Sequence, residues 1–148
     1  MSHSFSNLLT HIIFSTKGRR NLLSSDLRPR LFAYMGGIIR ENKCKPIIIG
    51  GVEDHIHLLI ELSTNDSVAK VMSILKANSS RWIHDEIGMS YFEWQRGYAA
   101  FSVSQSMRPT VERYIARQEE HHKKKNFREE LTEFLRANGI QNQSFEDD

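Results

Sequence analysis

The chain has 148 residues, 39% of them hydrophobic and 26% charged, which suits one globular domain with a core of its own. No apolar run approaches the roughly 18 to 20 residues of a membrane span. Met1-Ser2-His3-Ser4 lacks the basic and apolar regions of a secretory signal, and the single Cys44 excludes an internal disulfide and a cysteine-type zinc site. A cytoplasmic setting with no membrane partner is the expectation. The formal net charge is only +2, but the acidic Glu146-Asp147-Asp148 end masks a more basic body.

Residues 8–15 are rich in β-branched and aromatic side chains and read as a strand. Lys17, Gly18, Arg19 and Arg20 follow as a basic loop, either a solvated turn or a phosphate contact. Asp26 can cap a helix that tolerates Pro29 in its first turn. Leu27, Leu31, Met35, Ile38 and Ile39 form its apolar stripe, and Gly36-Gly37 in its middle suggests close packing. Ile47-Ile48-Ile49 begins a second strand, and Glu53-Asp54 turns the chain into a third. Along that third strand side chains alternate between faces. His55 and His57 therefore share one face, while Ile56, Leu58 and Ile60 share the other.

A polar turn over residues 63–67 precedes an amphipathic helix with Val68, Val71, Met72, Leu75, Ser79, Trp82 and Ile83 in its stripe. Ser79, Ser80 and Arg81 combine small hydroxyls with a guanidinium, a set suited to a sugar-phosphate backbone. Gly88-Met89-Ser90 breaks this helix, and residues 92–103 read as the fourth strand. Within it, Trp94 and Tyr98 either stack on an unpaired base or close the end of the core. Residues 104–109 form a linker and Thr110 a plausible N-cap. The helix that follows carries Tyr114, Gln118 and His122 at i, i+4 spacing on one stripe. Lys123-Lys124-Lys125 ends it with charge that its dipole favours. Residues 127–138 form a last short helix stopped at Gly139. Residues 1–138 are thus one domain, and residues 139–148 an acidic tail expected to be disordered.

Two imidazoles side by side on a strand make half of a divalent-metal site. A tyrosine hydroxyl is a potential nucleophile, and the carbonyl of a glutamine one turn away can ligate a hard cation. His122, a further turn on, lies within reach of the same metal, but His121 and His122 are placed here on the DNA-facing surface. The element order, β-α-β-β-α-β-α-α, opens as the ferredoxin-like order. The fold class is therefore α+β: a four-stranded antiparallel sheet with two helices on one face. The histidine strand is expected to be central, and the added tyrosine helix to bring Tyr114 to the open face.

His55-Ile56-His57, followed by Tyr114 and Gln118, resembles the IS200/IS605-like single-tyrosine transposases, a branch of the HUH endonuclease superfamily. The resemblance runs roughly over residues 4–136 and includes Ser79-Ser80-Arg81-Trp82, Trp94-Gln95-Arg96-Gly97-Tyr98 and Gln118-Glu119-Glu120-His121-His122. It implies Mg²⁺ or Mn²⁺ held by His55, His57 and Gln118, with Tyr114 as nucleophile. It also implies cleavage and rejoining of single-stranded DNA at hairpin-bearing ends through a 5′-phosphotyrosine. The DNA contacts expected are Lys17, Arg19, Arg20, Ser79, Ser80, Arg81, Trp94, Arg96, Tyr98, His121 and His122. A homodimer with sites shared between chains is expected, because the linker lets the tyrosine helix leave its own sheet. Such a protein would be cytoplasmic and nucleoid-associated while acting on DNA. Two alternatives belong to other functional classes. One is a host-adapted palindrome-cutting relative or replication-initiator-like nickase; the other is a non-catalytic nucleic-acid-binding module. A histidine-triad hydrolase is excluded, since Leu59 stands where a third histidine would be needed.

Overall fold

The computed structural model describes residues 4–140. The expected disorder of the acidic tail falls, from residue 141 on, outside the described residues. Strands β1 (Leu9–Ser15), β2 (Lys45–Gly51), β3 (His55–Glu61) and β4 (Ala99–Ser102) form one antiparallel sheet in the order β2-β3-β1-β4. The histidine strand β3 is therefore central, as its apolar run requires. Helices α1 (Leu27–Glu41) and α2 (Val68–Trp82) cover one face. Ile12 and Phe14 of β1 and Ile56, Leu58 and Ile60 of β3 pack there against Leu31, Met35 and Ile39 of α1 and Val71, Met72 and Leu75 of α2. The period of two along the strands and the helical period along the helices meet in this core, which gives the ferredoxin-like α+β architecture.

Local chemistry departs from the sequence reading at several points. The first turn of α1 is capped by Ser24, whose Oγ accepts from the Leu27 N–H at 3.2 Å, while Asp26 makes no side-chain cap. Ser67 caps α2 by accepting from the Lys70 N–H at 3.1 Å. The fourth strand is shorter than its composition suggests. Trp94 forms only an isolated bridge with Thr16, and Gly97, at φ +78°, turns the chain before Ala99 begins β4. Trp94 meets Phe14 and Phe92 edge-on and donates from Nε1 to Ser79 Oγ at 3.0 Å. It closes one end of the core.

The tyrosine helix is two helices. Helix α3 (Arg108–Ala116) stops at Arg117, whose φ −108° and ψ 28° are not helical, and α4 (Gln118–His121) is a single turn beyond it. The last helix, α5 (Phe127–Ala137), folds back over the second face of the sheet. Phe127, Leu131 and Phe134 pack there on Ile13 and Phe101. Asn126 and Glu129 form a reciprocal capping box at its start. Gly139 ends it at φ +74°, with the Ile140 N–H returned to the Leu135 carbonyl at 2.9 Å. The face expected to lie open around Tyr114 is thus roofed by the chain's own final helix.

Candidate active site

His55 and His57 project from β3 away from the two-helix core, and both are fully buried. Across the sheet His57 stands opposite Ile13 of β1 and Gly50 of β2. A Cβ on Gly50 would lie 2.5 Å from the Ile115 carbonyl oxygen and 2.8 Å from Ile115 Cγ2. The missing side chain lets α3 lie directly on the sheet. Tyr114, the neighbour of Ile115, then reaches the histidine pair, with ring centroids of His57 and Tyr114 5.8 Å apart.

The Nδ1 atoms of the two histidines face away from each other's Nε2, each towards a neighbouring side chain. His55 Nδ1 lies 2.7 Å from Asp54 Oδ1, and His57 Nδ1 lies 2.8 Å from His11 Nε2. These bonds fix both rings so that their Nε2 atoms converge, the arrangement seen around metal-ligating histidines. They converge on Glu130 of α5. Its Oε1 is 3.0 Å from His55 Nε2 and 2.8 Å from His57 Nε2. His122 Nε2 comes within 3.1 Å of the same oxygen but is out of line for a hydrogen bond. The Tyr114 hydroxyl donates to Glu130 Oε2, and Gln118 Nε2 donates to it at 3.3 Å. His121 stacks on the Tyr114 ring at 4.2 Å.

Burial and charge set the protonation of this cluster. Burial, with a smaller contribution from His57, lowers His11 to about 3. Burial lowers His57 to about 4 against the pull of Glu130. His55 also feels burial, but the carboxylates of Asp54 and Glu130 outweigh it and raise its pKa. Burial alone would raise Glu130; its contacts with His122, His55 and His57 hold it well below the usual carboxylate range instead. Tyr114 is pushed well above an ordinary phenol, first by burial and then by the Glu130 carboxylate.

The donor set suits a divalent cation. One ligand atom from each of His55, His57, His122 and Glu130 falls within 4.8 Å of the others. The buried Oε1 of Gln118 has no hydrogen-bond partner. A buried carbonyl oxygen without a donor is costly unless a cation meets it.

The structure thus gathers His55, His57, Tyr114 and Gln118 as the sequence indicated. It moves His122 into the metal-capable cluster, because the break at Arg117 and the end of α4 carry its ring over His55, centroids 4.4 Å apart. Lys17, Ser80, Trp94 and Arg96 meet in one open cleft of about 760 Å³, to which Lys76 adds a further cation. Ser79 does not reach that surface. It is fully buried beneath Trp94, and its hydroxyl donates to the Leu75 carbonyl at 2.6 Å. Tyr98 is exposed, with Lys76 Nζ 6.0 Å from its ring centroid. Arg81 is exposed on α2, Arg19 follows the bridge at Thr16 with φ +52°, and Arg20 lies over the Tyr91 ring at 5.4 Å.

Sequence reasoning missed Glu130, His11, Asp54 and Gly50. One signal was legible for Glu130: it sits between Phe127 and Leu131 on the apolar stripe of its helix, where a carboxylate needs a partner. His11 lies two residues before Ile13 on the first strand, so it falls on the same face as Ile13, the residue opposite His57. Neither placement follows until β1 is paired with β3 and α5 is docked.

A ferredoxin-like sheet here sets its central histidine strand against a tyrosine-bearing helix. The family described as "Transposase IS200 like" matches residues 4–118, and the chain belongs to that family. The transposase for insertion sequence element IS200 of Salmonella typhimurium is 26% identical over 129 residues, covering 83% of this chain and 84% of that protein. The ISDra2 transposase TnpA of Deinococcus radiodurans is 23% identical over 114 residues, covering 73% and 81%. Among solved structures, a transposase candidate from Deinococcus radiodurans R1 superposes with a TM-score of 0.66 at 21% identity, over 80% of this chain and 95% of that one. A REP-associated tyrosine transposase bound to a REP hairpin superposes with a TM-score of 0.59 at 14% identity, over 79% and 72%. Both superpositions bear on the fold. No helix among the described residues is long and apolar enough to cross a membrane.

Proposed function

We propose that this transposase is a metal-dependent single-strand DNA endonuclease and strand transferase that works at hairpin-bearing ends through a 5′-phosphotyrosine. The observation that carries this reading is that the half-buried Tyr114 hydroxyl and the converging Nε2 atoms of His55 and His57 meet on the two oxygens of one buried carboxylate, Glu130. His55, His57 and Gln118 Oε1 would hold the cation. Mg²⁺ or Mn²⁺ bound there would polarise the scissile phosphate and offset its developing charge. The Tyr114 oxygen attacks phosphorus, the P–O3′ bond breaks, and a free 3′-OH leaves. The phosphotyrosine ester keeps the bond energy, so a later 3′-OH can attack it, release Tyr114 and rejoin strands without ATP. His121, stacked on the tyrosine ring, holds the nucleophile in place from the other side.

The substrate reading draws on two further observations. The cleft between α2 and residues 93–97 carries Lys17, Lys76 and Arg96 beside the Trp94 ring, a combination suited to phosphates and an unpaired base. A structural neighbour was solved with a DNA hairpin. Such a protein would work at the nucleoid.

We place the active protein in a homodimer whose sites are shared between chains. In the single chain Tyr114 stands over its own histidine pair, and Arg28 holds Glu119 of α4 at 2.9 Å. Exchange would require α3 and α4 to leave as one body, carried by residues 104–107 ahead of α3, which span up to about 14 Å if extended. Mixing Tyr114→Phe with a His55→Ala/His57→Ala double variant tests this. Shared sites restore cleavage in mixed dimers, whereas no recovery despite subunit exchange contradicts the trans arrangement. The catalytic reading itself is tested by incubating the chain with a hairpin-bearing single strand. A Mn²⁺-dependent covalent adduct, lost on chelation, is expected; an adduct indifferent to chelation contradicts the metal's role.

A further inference from the structure

Glu130 is 1% exposed, yet the charged partners on hand are imidazoles. A buried carboxylate is tolerated only where a positive charge meets it. Its two oxygens also do different things. Oε1 faces the Nε2 atoms of His55, His57 and His122 at 3.0, 2.8 and 3.1 Å. Oε2 accepts from the Tyr114 hydroxyl and from Gln118 Nε2.

The first spacing is informative. Ligands about 2.1 Å from an octahedral cation stand roughly 3 Å from their nearest neighbours. Oε1 therefore stands from each of the three imidazole nitrogens at about the edge of a coordination shell, and the four atoms as a set lie within 4.8 Å of one another. Charge points the same way. Two imidazoles and an amide carbonyl are neutral donors and leave a buried dication uncompensated, while hard cations such as Mg²⁺ and Mn²⁺ favour carboxylate oxygen.

We propose that Glu130 is a ligand of the divalent cation through Oε1 and holds the Tyr114 hydroxyl through Oε2, so that one carboxylate fixes the nucleophile relative to the metal. His122 Nε2, buried and without a hydrogen bond, is the further donor this site has in reserve. The inference rests on the metal reading of the histidine pair and adds a ligand from a helix outside the strand and tyrosine motifs. It also gives α5 a function. The apolar contacts of Phe127, Leu131 and Phe134 aim the carboxylate, and the Asn126 cap starts the helix that carries it.

The competing physical account is that Glu130 merely neutralises imidazolium charge and must leave when a cation arrives. The two accounts predict opposite effects on metal affinity. The measurement is calorimetric titration of Mn²⁺ into the full chain, with Tyr114→Phe, His57→Ala, Glu130→Gln and Glu130→Asp as variants. If Glu130 is a ligand, Glu130→Gln weakens Mn²⁺ binding on the order of ten-fold or more, as does His57→Ala. Glu130→Asp, which keeps the charge but withdraws the oxygens by one methylene, weakens it by less. Tyr114→Phe stays within about two-fold of the unmodified chain, since it removes no ligand. Unchanged or tighter binding in Glu130→Gln or Glu130→Asp, with His57→Ala weakened, overturns the role of Glu130 and leaves the histidine metal site standing. Unchanged binding in His57→Ala overturns both.

Discussion

Taking the hydroxyl from Tyr114 removes one donor to Glu130 and leaves the ring's stack on His121 in place. Tyr114→Phe should therefore abolish covalent attachment while hairpin affinity stays within about two-fold. Hairpin binding that fell with the adduct would place Tyr114 in the DNA interface rather than at the chemistry. A second residue-scale consequence concerns acid. His11 and His57 stay neutral in the fold down to about 3 and 4, while in the unfolded chain each titrates near 6.5. Between those values the unfolded state binds more protons, so each of the two takes stability away as pH falls from about 6.5. Their joint effect works against His55, whose raised pKa contributes stability in acid that is lost as pH rises through it. Replacing His11 by Gln removes one neutral-held imidazole. In chelator-treated protein the loss of stability between pH 6.5 and 4.5 should then be shallower, by up to about 1.4 kcal/mol per pH unit. An equal fall in unfolding free energy across that pH range in both proteins, measured by denaturant melts, would contradict this. The histidine pair, Tyr114 and Gln118 were legible because each spacing matches one local period, two along a strand and four along a helix. Glu130, His11 and Asp54 were not, since their roles depend on which elements meet.

At the scale of elements, two glycines make opposite predictions. Gly50 gives α3 its seat, and a methyl there would collide with the Ile115 backbone. Gly50→Ala should cost about 1 to 3 kcal/mol and lower adduct formation more than hairpin binding, because it shifts Tyr114 rather than the cleft. Retention of wild-type cleavage would show that α3 does not need this approach. Gly37, inside α1, meets nothing within 4 Å of a built Cβ, and Gly36 meets only the Arg40 guanidinium at ordinary contact distance. The close packing expected of this pair is therefore absent at Gly37. Gly37→Ala should raise stability by about 0.5 to 1 kcal/mol in denaturant unfolding; a loss would point to a partner at that surface. The helix pattern itself was readable from capping residues and apolar stripes. The break at Arg117 was not, since neither glycine nor proline marks it and the i, i+4 stripe from Tyr114 to His122 continues through it. The fourth strand was overdrawn because aromatic residues that close a core resemble residues that pair in a sheet. Trp94 is half-buried against Phe14 and Phe92 and pairs with the sheet only through the isolated bridge to Thr16.

At the scale of the whole molecule, the sheet separates two tasks. One face holds the large core with α1 and α2; the other carries the histidine cluster beneath α3, α4 and α5. The cationic cleft opens to the side, where Lys17, Lys76 and Arg96 converge. A small net charge thus coexists with a local basic surface. Hairpin binding should weaken with salt, and Arg96→Ser should reduce the log–log salt slope by about 1 while leaving Mn²⁺ affinity unchanged. An unaltered slope would remove Arg96 from the DNA path. The central claim, that Tyr114 is the nucleophile of a metal-assisted strand transfer, is tested most directly by mapping the adduct. The chain is incubated with a hairpin-bearing single strand and Mn²⁺, digested with protease and nuclease, and the modified peptide is sequenced by mass spectrometry. The account predicts a 5′-phosphonucleotide on Tyr114 and a free 3′-OH on the released strand. Attachment at Tyr34, Tyr91 or Tyr98, or cleavage with no protein-linked strand, would contradict it.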